Sequence, residues 1–130
     1  DLNTGKISRN GYVSVAQQIT ERFGCEKVAI TLRGSLSASV NEWAGMLYSA
    51  GTAYFSPKYT VQIIDRVGGG DSFGGGLIYA LLSDYADQMA INFAVAASCL
   101  KHTIEHDFNL ISVAEVESLV AGNASGRVQR

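Results

Sequence analysis

Six glycines fall within the nine residues from Gly68 to Gly76, as two triplets around Asp71, Ser72 and Phe73. Inside a helix each glycine costs about 1 kcal/mol against alanine. Yet the cluster stands between an apolar, β-branched run, YTVQII (59–64), and a run of helical spacing in which Phe73, Leu77, Ala80 and Leu81 share a face. A strand that hands over to a helix through such a segment needs a tight turn with bare backbone at the helix start. Consecutive amides there can aim their N–H groups at one point, and the helix dipole favours a negative group by about 0.3–1 kcal/mol. An acid in that spot repels a phosphate unless it has a task. The task that fits Asp71 is to take a proton from an attacking hydroxyl while the amides stabilise a transferring phosphoryl group. The competing reading is plain: Asp is a good helix N-cap, and a glycine-rich turn also serves tight geometry alone. Gly74, Gly75 and Gly76 fall inside the helix and imply something packed close to it, either substrate or a neighbouring backbone.

Neither common phosphate fingerprint is present. The P-loop pattern needs a lysine after its last glycine, and here Gly75 is followed by Gly76 and Leu77. The dinucleotide pattern G-x-G-x-x-G also fails, since Gly68 and Gly70 lead to Phe73, and Gly74 and Gly76 lead to Tyr79.

The rest of the chain alternates strands and helices. Val13, Ala16, Ile19 and Phe23 make a helical face that Gly24 stops; KVAITL (27–32) reads as a buried strand. EWAGMLYSA (42–50) and TAYFS (52–56) read as a hairpin with Gly51 at its turn. ADQMAINFAVAASCLKHTI (86–104) is a helix with a stripe of Ala86, Met89, Ala90, Phe93, Ala97, Leu100 and Ile104, and its small residues allow close approach. A last helix follows in 112–122, opened by a capping box of Ser112 and Glu115 and closed by Gly122. Alternation of this kind points to an α/β layer fold with a mostly parallel sheet.

Composition narrows the function classes. With 47% hydrophobic residues, 130 residues suffice for one domain with a real core. A net charge of −2 gives no footprint for nucleic acid, and no run of 18 apolar residues suggests a membrane span. Cys25 and Cys99 read as reduced, buried thiols of a cytoplasmic protein. His102 and His106 lack a third ligand nearby and read as structural. Trp43, Tyr48, Tyr54 and Phe55 read as hairpin packing, and Asp107 and Asn109 as turn formers.

DRVGGGDSFGGGL resembles the C-terminal signature of the ribokinase-like carbohydrate kinases, D-x-x-G-A-G-D-x-F-x-x-G. Asp65, Gly68, Gly70, Asp71, Phe73 and Gly76 match; Gly69 replaces Ala, and Arg66 stands where Thr or Pro is common. VAITLRGS resembles the family's V-x-x-T-L-G-x-x-G loop: Thr31 and Leu32 match, while Arg33 and Leu36 replace its two glycines. Arg33 and Arg66, with SCLKHTIEHDFNLISVAEVE, resemble the 2-keto-3-deoxygluconate kinase branch.

The resemblance implies a layered α/β/α fold and ATP-dependent phosphorylation of a sugar-acid hydroxyl, such as 2-keto-3-deoxygluconate to its 6-phosphate. It places Asp71 on the catalytic base and the Gly68, Gly69 and Gly70 amides on the anion hole. It places Thr31 and Val95 at the nucleotide. Arg33 suits a phosphate by its fork geometry and equally suits a strand-end surface. Carbonyls near Asp65 and Val67, with the 102–111 loop, match a monovalent-cation site, so ATP, Mg2+ and K+ are the implied cofactors. The family's N-x-x-E magnesium motif, its sugar-binding half and its lid are not in these residues. The chain is therefore expected to be the C-terminal catalytic portion of a longer kinase, inactive alone, with a cut sheet edge that makes self-association a hazard. The alternatives are a fructose- or ribose-type kinase of the family, and a nucleotide- or anion-binding module without turnover.

Overall fold

The computed structural model describes residues 9–122. Helix α1 (Arg9–Phe23) leads into a four-stranded sheet of β1 (Lys27–Ser35), β2 (Val40–Ser49), β3 (Thr52–Phe55) and β4 (Tyr59–Gln62). Three helices follow: α2 (Gly69–Leu82), α3 (Asp87–Lys101) and α4 (Val113–Gly122).

β2 is the spine of the sheet. β1 pairs along its whole length, from Lys27↔Ser49 to Ser35↔Asn41. The other edge of β2 is shared: β3 takes Met46–Ser49 and β4 takes Val40–Trp43. Every pairing is antiparallel, which corrects the expected mostly parallel sheet. Loop length explains the difference, because a parallel pair needs a crossover of about a dozen residues or more. Here β2 and β3 are joined by Ala50 and Gly51 alone, with φ of 50° and 81°, the sign that a tight hairpin turn demands at both positions. Where β3 gives way to β4, Ser56 closes the gap in the ladder. Its N–H donates to Gly45 O, and its Oγ accepts from Gly45 N, each at 2.9 Å.

Residues of β2 alternate between two apolar layers. Met46 and Tyr48 pack with Val28 and with Ala16 of α1; Trp43 and Leu47 pack with Tyr59, Phe73, Ile91 and Val95 on the other face. Both faces are covered, so Trp43 through Ser49 are all buried. β1, at the edge, is buried only at Val28 and is not the buried strand its apolar run suggests.

α3 is enclosed on nearly every side. Its inner face lies on β2, and a second cluster of Ala80, Ala90, Phe93, Ala96, Ala97, Leu100 and Val116 joins it to α2 and α4. The expected single stripe is thus too narrow: Phe93 through Lys101 are buried without a break, whereas Ala86 and Met89 at the N-terminal end are exposed. Two glycines permit the closeness. A Cβ on Gly45 would lie 2.7 Å from Val95 Cγ2, and one on Gly76 would lie 3.2 Å from Ala97 Cβ and 3.3 Å from Ala94 Cα. Gly74 and Gly75 have nothing within 4 Å, so of the second triplet only Gly76 meets a close neighbour, and that neighbour is a helix. Cys99 is buried as expected, but Cys25 is exposed in the turn after α1; both are free thiols.

Gly76→Ala forces α2 and α3 apart and is expected to lower unfolding stability by about 1–3 kcal/mol. Gly75→Ala meets open space and is expected to raise it by up to about 1 kcal/mol through helix propensity. Urea denaturation of the two variants against the parent checks both signs.

Candidate functional site

The glycine turn opens α2 two residues earlier than its sequence suggests. Gly68 is the N-cap residue, with φ 79° and ψ 1°, a left-handed conformation that glycine adopts without strain. Asp71 therefore lies in the first helical turn and is not the cap; its side chain is exposed. The first helical bond runs from Ser72 N to Gly68 O at 2.8 Å. Gly69 N–H is held inside the turn by Arg66 O at 3.1 Å. Of the three glycine amides expected to face an anion, Gly69 is thus engaged, whereas Gly70 N–H and Asp71 N–H precede the helix's first bond, where no carbonyl lies one turn back.

A buried network carries this turn from below. Ser98 Oγ donates to Gly69 O at 2.7 Å, within the core. The His102 ring lies against Gly69 so closely that a Cβ there would stand 2.7 Å from its Cε1. His102 Nδ1 is 2.6 Å from Ser98 O; since a carbonyl only accepts, Nδ1 carries the proton. The same ring packs on Trp43, centroid to centroid 4.9 Å, and the indole Nε1 is buried without a hydrogen-bond partner. Burial chiefly holds the His102 pKa below its usual value, against an opposing pull from the Ser98 hydrogen bond.

Asp65 ties the turn to the loop after α3. One carboxylate oxygen accepts from Val67 N–H at 2.9 Å and the other from His106 N–H at 2.8 Å. These two bonds, Val67's first, hold the Asp65 carboxyl below the usual carboxylate range, with a smaller contribution from Lys101. The backbone repeats the link: Ile64 N and Asp65 N both donate to His102 O, at 2.8 and 3.2 Å. A Cβ on Gly68 would strike Asp107 O at 2.6 Å, so this loop and the glycine turn lie backbone to backbone.

The expected site residues divide three ways. Asp65, Val67, Gly68, Gly69, Gly70 and Asp71 form one connected structure with the loop. Thr31 and Arg33 are exposed on β1 and reach it through the sheet: Arg33 pairs with Trp43, and Trp43 packs on His102. Asn41, with its amide oxygen turned to β1, accepts from Arg33 Nε at 2.9 Å and Nη2 at 3.3 Å. Val95 stands apart. It is fully buried against Gly45, and a residue that walls a ligand needs a surface it does not have here. Arg66 Nη2 donates to Ala38 O at 2.9 Å, which joins the turn to the β1–β2 loop.

Sequence reasoning missed the supporting residues: Ser98, Lys101 and, as more than a turn former, Asn109. Asn109 Nδ2 donates to Ser72 Oγ at 3.1 Å and to Ala97 O at 3.3 Å, and its buried Oδ1 has no hydrogen-bond partner. With Asp71, Ser72, Gly75, Tyr79 and Phe93 it lines a pocket of about 350 Å³. A polar residue in a loop after an alanine-rich helix carries no periodicity signal, so only the folded contacts reveal it.

Three comparisons with known proteins accord with this geometry. The family model described as pfkB family carbohydrate kinase matches residues 4–105. The crystal structure of 2-dehydro-3-deoxygluconokinase from Thermotoga maritima is 45% identical with a TM-score of 0.87, covering 91% of this chain and 36% of that one. The curated 2-dehydro-3-deoxygalactonokinase of Haloferax volcanii is 26% identical over 113 residues, which are 87% of this chain and 33% of the relative. Phosphofructokinase-2 from Escherichia coli, solved in complex with potassium, shares the fold at 18% identity and a TM-score of 0.69, over 88% of this chain and 34% of that one. The chain thus spans about a third of the length of the relatives it matches. The layered fold expected from the sequence is shown by these neighbours, with the sheet of this chain antiparallel where a mostly parallel one was expected.

Both titrating groups make the turn sensitive to acid. His102 has a folded pKa below its unfolded value of about 6.5, so stability is full above that pH and falls as the unfolded chain alone takes up the proton. Asp65 has a folded pKa below its unfolded value of about 3.9, so its contribution is present above that pH and lost as pH falls through the folded value. Melting temperature followed from pH 7 to pH 3 should decline in two stages. His102→Gln should flatten the upper stage and Asp65→Asn the lower.

Proposed function

This chain belongs to the pfkB family of carbohydrate kinases, and from that membership we propose that it is the catalytic portion of an ATP-dependent sugar-acid kinase, with 2-keto-3-deoxygluconate as substrate. The observation that carries the reading is the placement of Asp71. An exposed carboxylate stands in the first turn of α2, beside two N–H groups that no helical carbonyl takes, on a turn locked from beneath. A pure anion-binding loop has no use for a carboxylate there, because it would repel the ligand. A phosphoryl transfer to a hydroxyl needs both parts.

In this reading Asp71 accepts the proton of the sugar-acid hydroxyl as that oxygen attacks the γ-phosphorus of ATP. The bond from the γ-phosphorus to the ADP oxygen breaks, and the proton leaves Asp71 to solvent after the phosphorylated acid departs. Charge on the transferring phosphoryl oxygens is met by Gly70 and Asp71 N–H and by the positive end of α2, which the left-handed Gly68 opens. Thr31 and Arg33, on the strand linked to the turn through Trp43, face the nucleotide phosphates. ATP brings its divalent ion on its own phosphates; among the described residues no group of three or more His, Cys, Asp or Glu side chains could hold one. The sugar-binding half belongs to the remainder of a longer protein, and cytoplasmic placement fits a substrate of this kind. Among the described residues no helix is long and apolar enough to cross a membrane. The identity of the Thermotoga maritima structure supports the choice of sugar acid.

Asp71→Asn in the full-length protein is expected to lower kcat for 2-keto-3-deoxygluconate by about 10²–10⁴-fold, with much less change in the KM for ATP. Coupled measurement of ADP release checks it. Turnover that survives the substitution would return Asp71 to a structural role. Turnover on fructose or ribose instead would keep the family and discard the sugar acid.

A further inference from the structure

Lys101 is the one charged residue that is fully buried among those described, at 0% exposure. It closes α3, where the helix dipole favours a cation, but such lysines ordinarily sit in water. No carboxylate lies within ion-pair distance of it among the described residues; the two ion pairs found are Lys27–Asp87 and Lys58–Glu42. Its Nζ donates instead to a backbone carbonyl, Ile104 O, at 2.8 Å. An ammonium has three donors and no acceptor, and one of the three is given to this loop carbonyl.

Its location gives it a task. Ile104 belongs to the loop that Asp65 grips through His106 N–H and that meets Gly68 at Asp107 O. This is the loop in which a monovalent metal ion is expected from the sequence resemblance, held by loop carbonyls beside Asp65 and Val67. The residues present do not fit an exchangeable ion well. One loop carbonyl is already occupied by an ammonium, and a second cation would meet like charge in a buried setting.

We infer that the Lys101 ammonium is the resident cation of the phosphate cradle, replacing an exchangeable monovalent ion, so that activity does not depend on potassium. The inference rests on the kinase reading above for its catalytic consequence, and on the fold alone for its effect on stability. Lys101 is a positioning residue: it fixes the 102–107 loop, and through Asp65 and Gly68 the loop fixes the amides at the start of α2.

The test uses the full-length protein in potassium-free buffer with tetramethylammonium as counter-ion, followed by titration with KCl. Both ADP release and melting temperature are read. The wild type is expected to change by less than about twofold in kcat and to show no saturable rise in melting temperature. Lys101→Met is expected to lose about 10–100-fold in kcat, the range for a group that orients another, with little change in KM for the sugar acid. Potassium or ammonium should then restore activity and raise the melting temperature, both saturably. Saturable activation of the wild type by tenfold or more would overturn the inference, as would full activity of Lys101→Met without potassium. If the variant does not fold, the wild-type titration still decides. If the full-length protein phosphorylates no sugar acid, the functional reading fails, and a saturable potassium shift in wild-type melting temperature, or its absence, still rejects or supports the resident cation.

Discussion

The closeness of α3 to its neighbours governs the rest of the molecule. Two bare positions, Gly45 on β2 and Gly76 on α2, let the helix lie against the sheet on one side and against another helix on the other. At these distances an added methyl group would require its neighbours to shift. A run of alanines and a serine on α3 makes the fit possible from its own side. Because the helix is buried nearly all round, it cannot shift toward solvent to relieve a misfit. Its C-terminal end is therefore a fixed point, and the functional turn is built on that point.

From there the contacts run outward in order. Ser98 holds Gly69 O, His102 fills the space under Gly69, and the His102 carbonyl receives both amides that lead out of β4. Asp65 then clasps the following loop. Ser98 and His102 are buried, and Asp65 is engaged through both carboxylate oxygens. Their common effect is to leave the backbone at Gly70 and Asp71 with its N–H groups presented outward and with little freedom to turn away. Preorganised donors of this kind stabilise developing charge without a further ordering cost at the moment of reaction.

The sequence carried the turn, the helix faces and the hairpin because each rests on local rules. The capping box, confirmed by the Ser112–Glu115 bonds, and the turn at Gly51, with its positive φ, are properties of neighbouring residues. The direction of the sheet was misread because alternating helices and strands suggest crossovers, whereas only one strand here is followed by a helix. The full burial of α3 was also hidden, since alanine is equally suited to an exposed helix face and to a crowded one. At the candidate site, Asp71 was singled out by its setting among glycines, and it lies in the first turn of α2. Ser98, Lys101 and Asn109 were not, because their roles exist only between segments far apart in the chain. Val95 shows the limit of a position carried over from a family pattern: the register can be right while the side chain, turned into the core, has no surface to offer.

The two glycine triplets, alike in sequence, answer to different physics. In the first, Gly68 is needed for its left-handed backbone and for the carbonyl of Asp107 beside it, and Gly69 for the imidazole beneath it. These are requirements imposed by the supporting shell, while Gly70, free of neighbours within 4 Å, leaves the space in front of the helix open to a ligand. In the second, Gly76 serves helix packing, and Gly75 lies along the pocket that Asp71 lines. The cluster therefore has an inner face shaped by the protein and an outer face kept bare. A turn selected only for tight geometry needs the inner glycines, Gly68 and Gly69, whereas Gly70 meets no neighbour that would exclude a side chain.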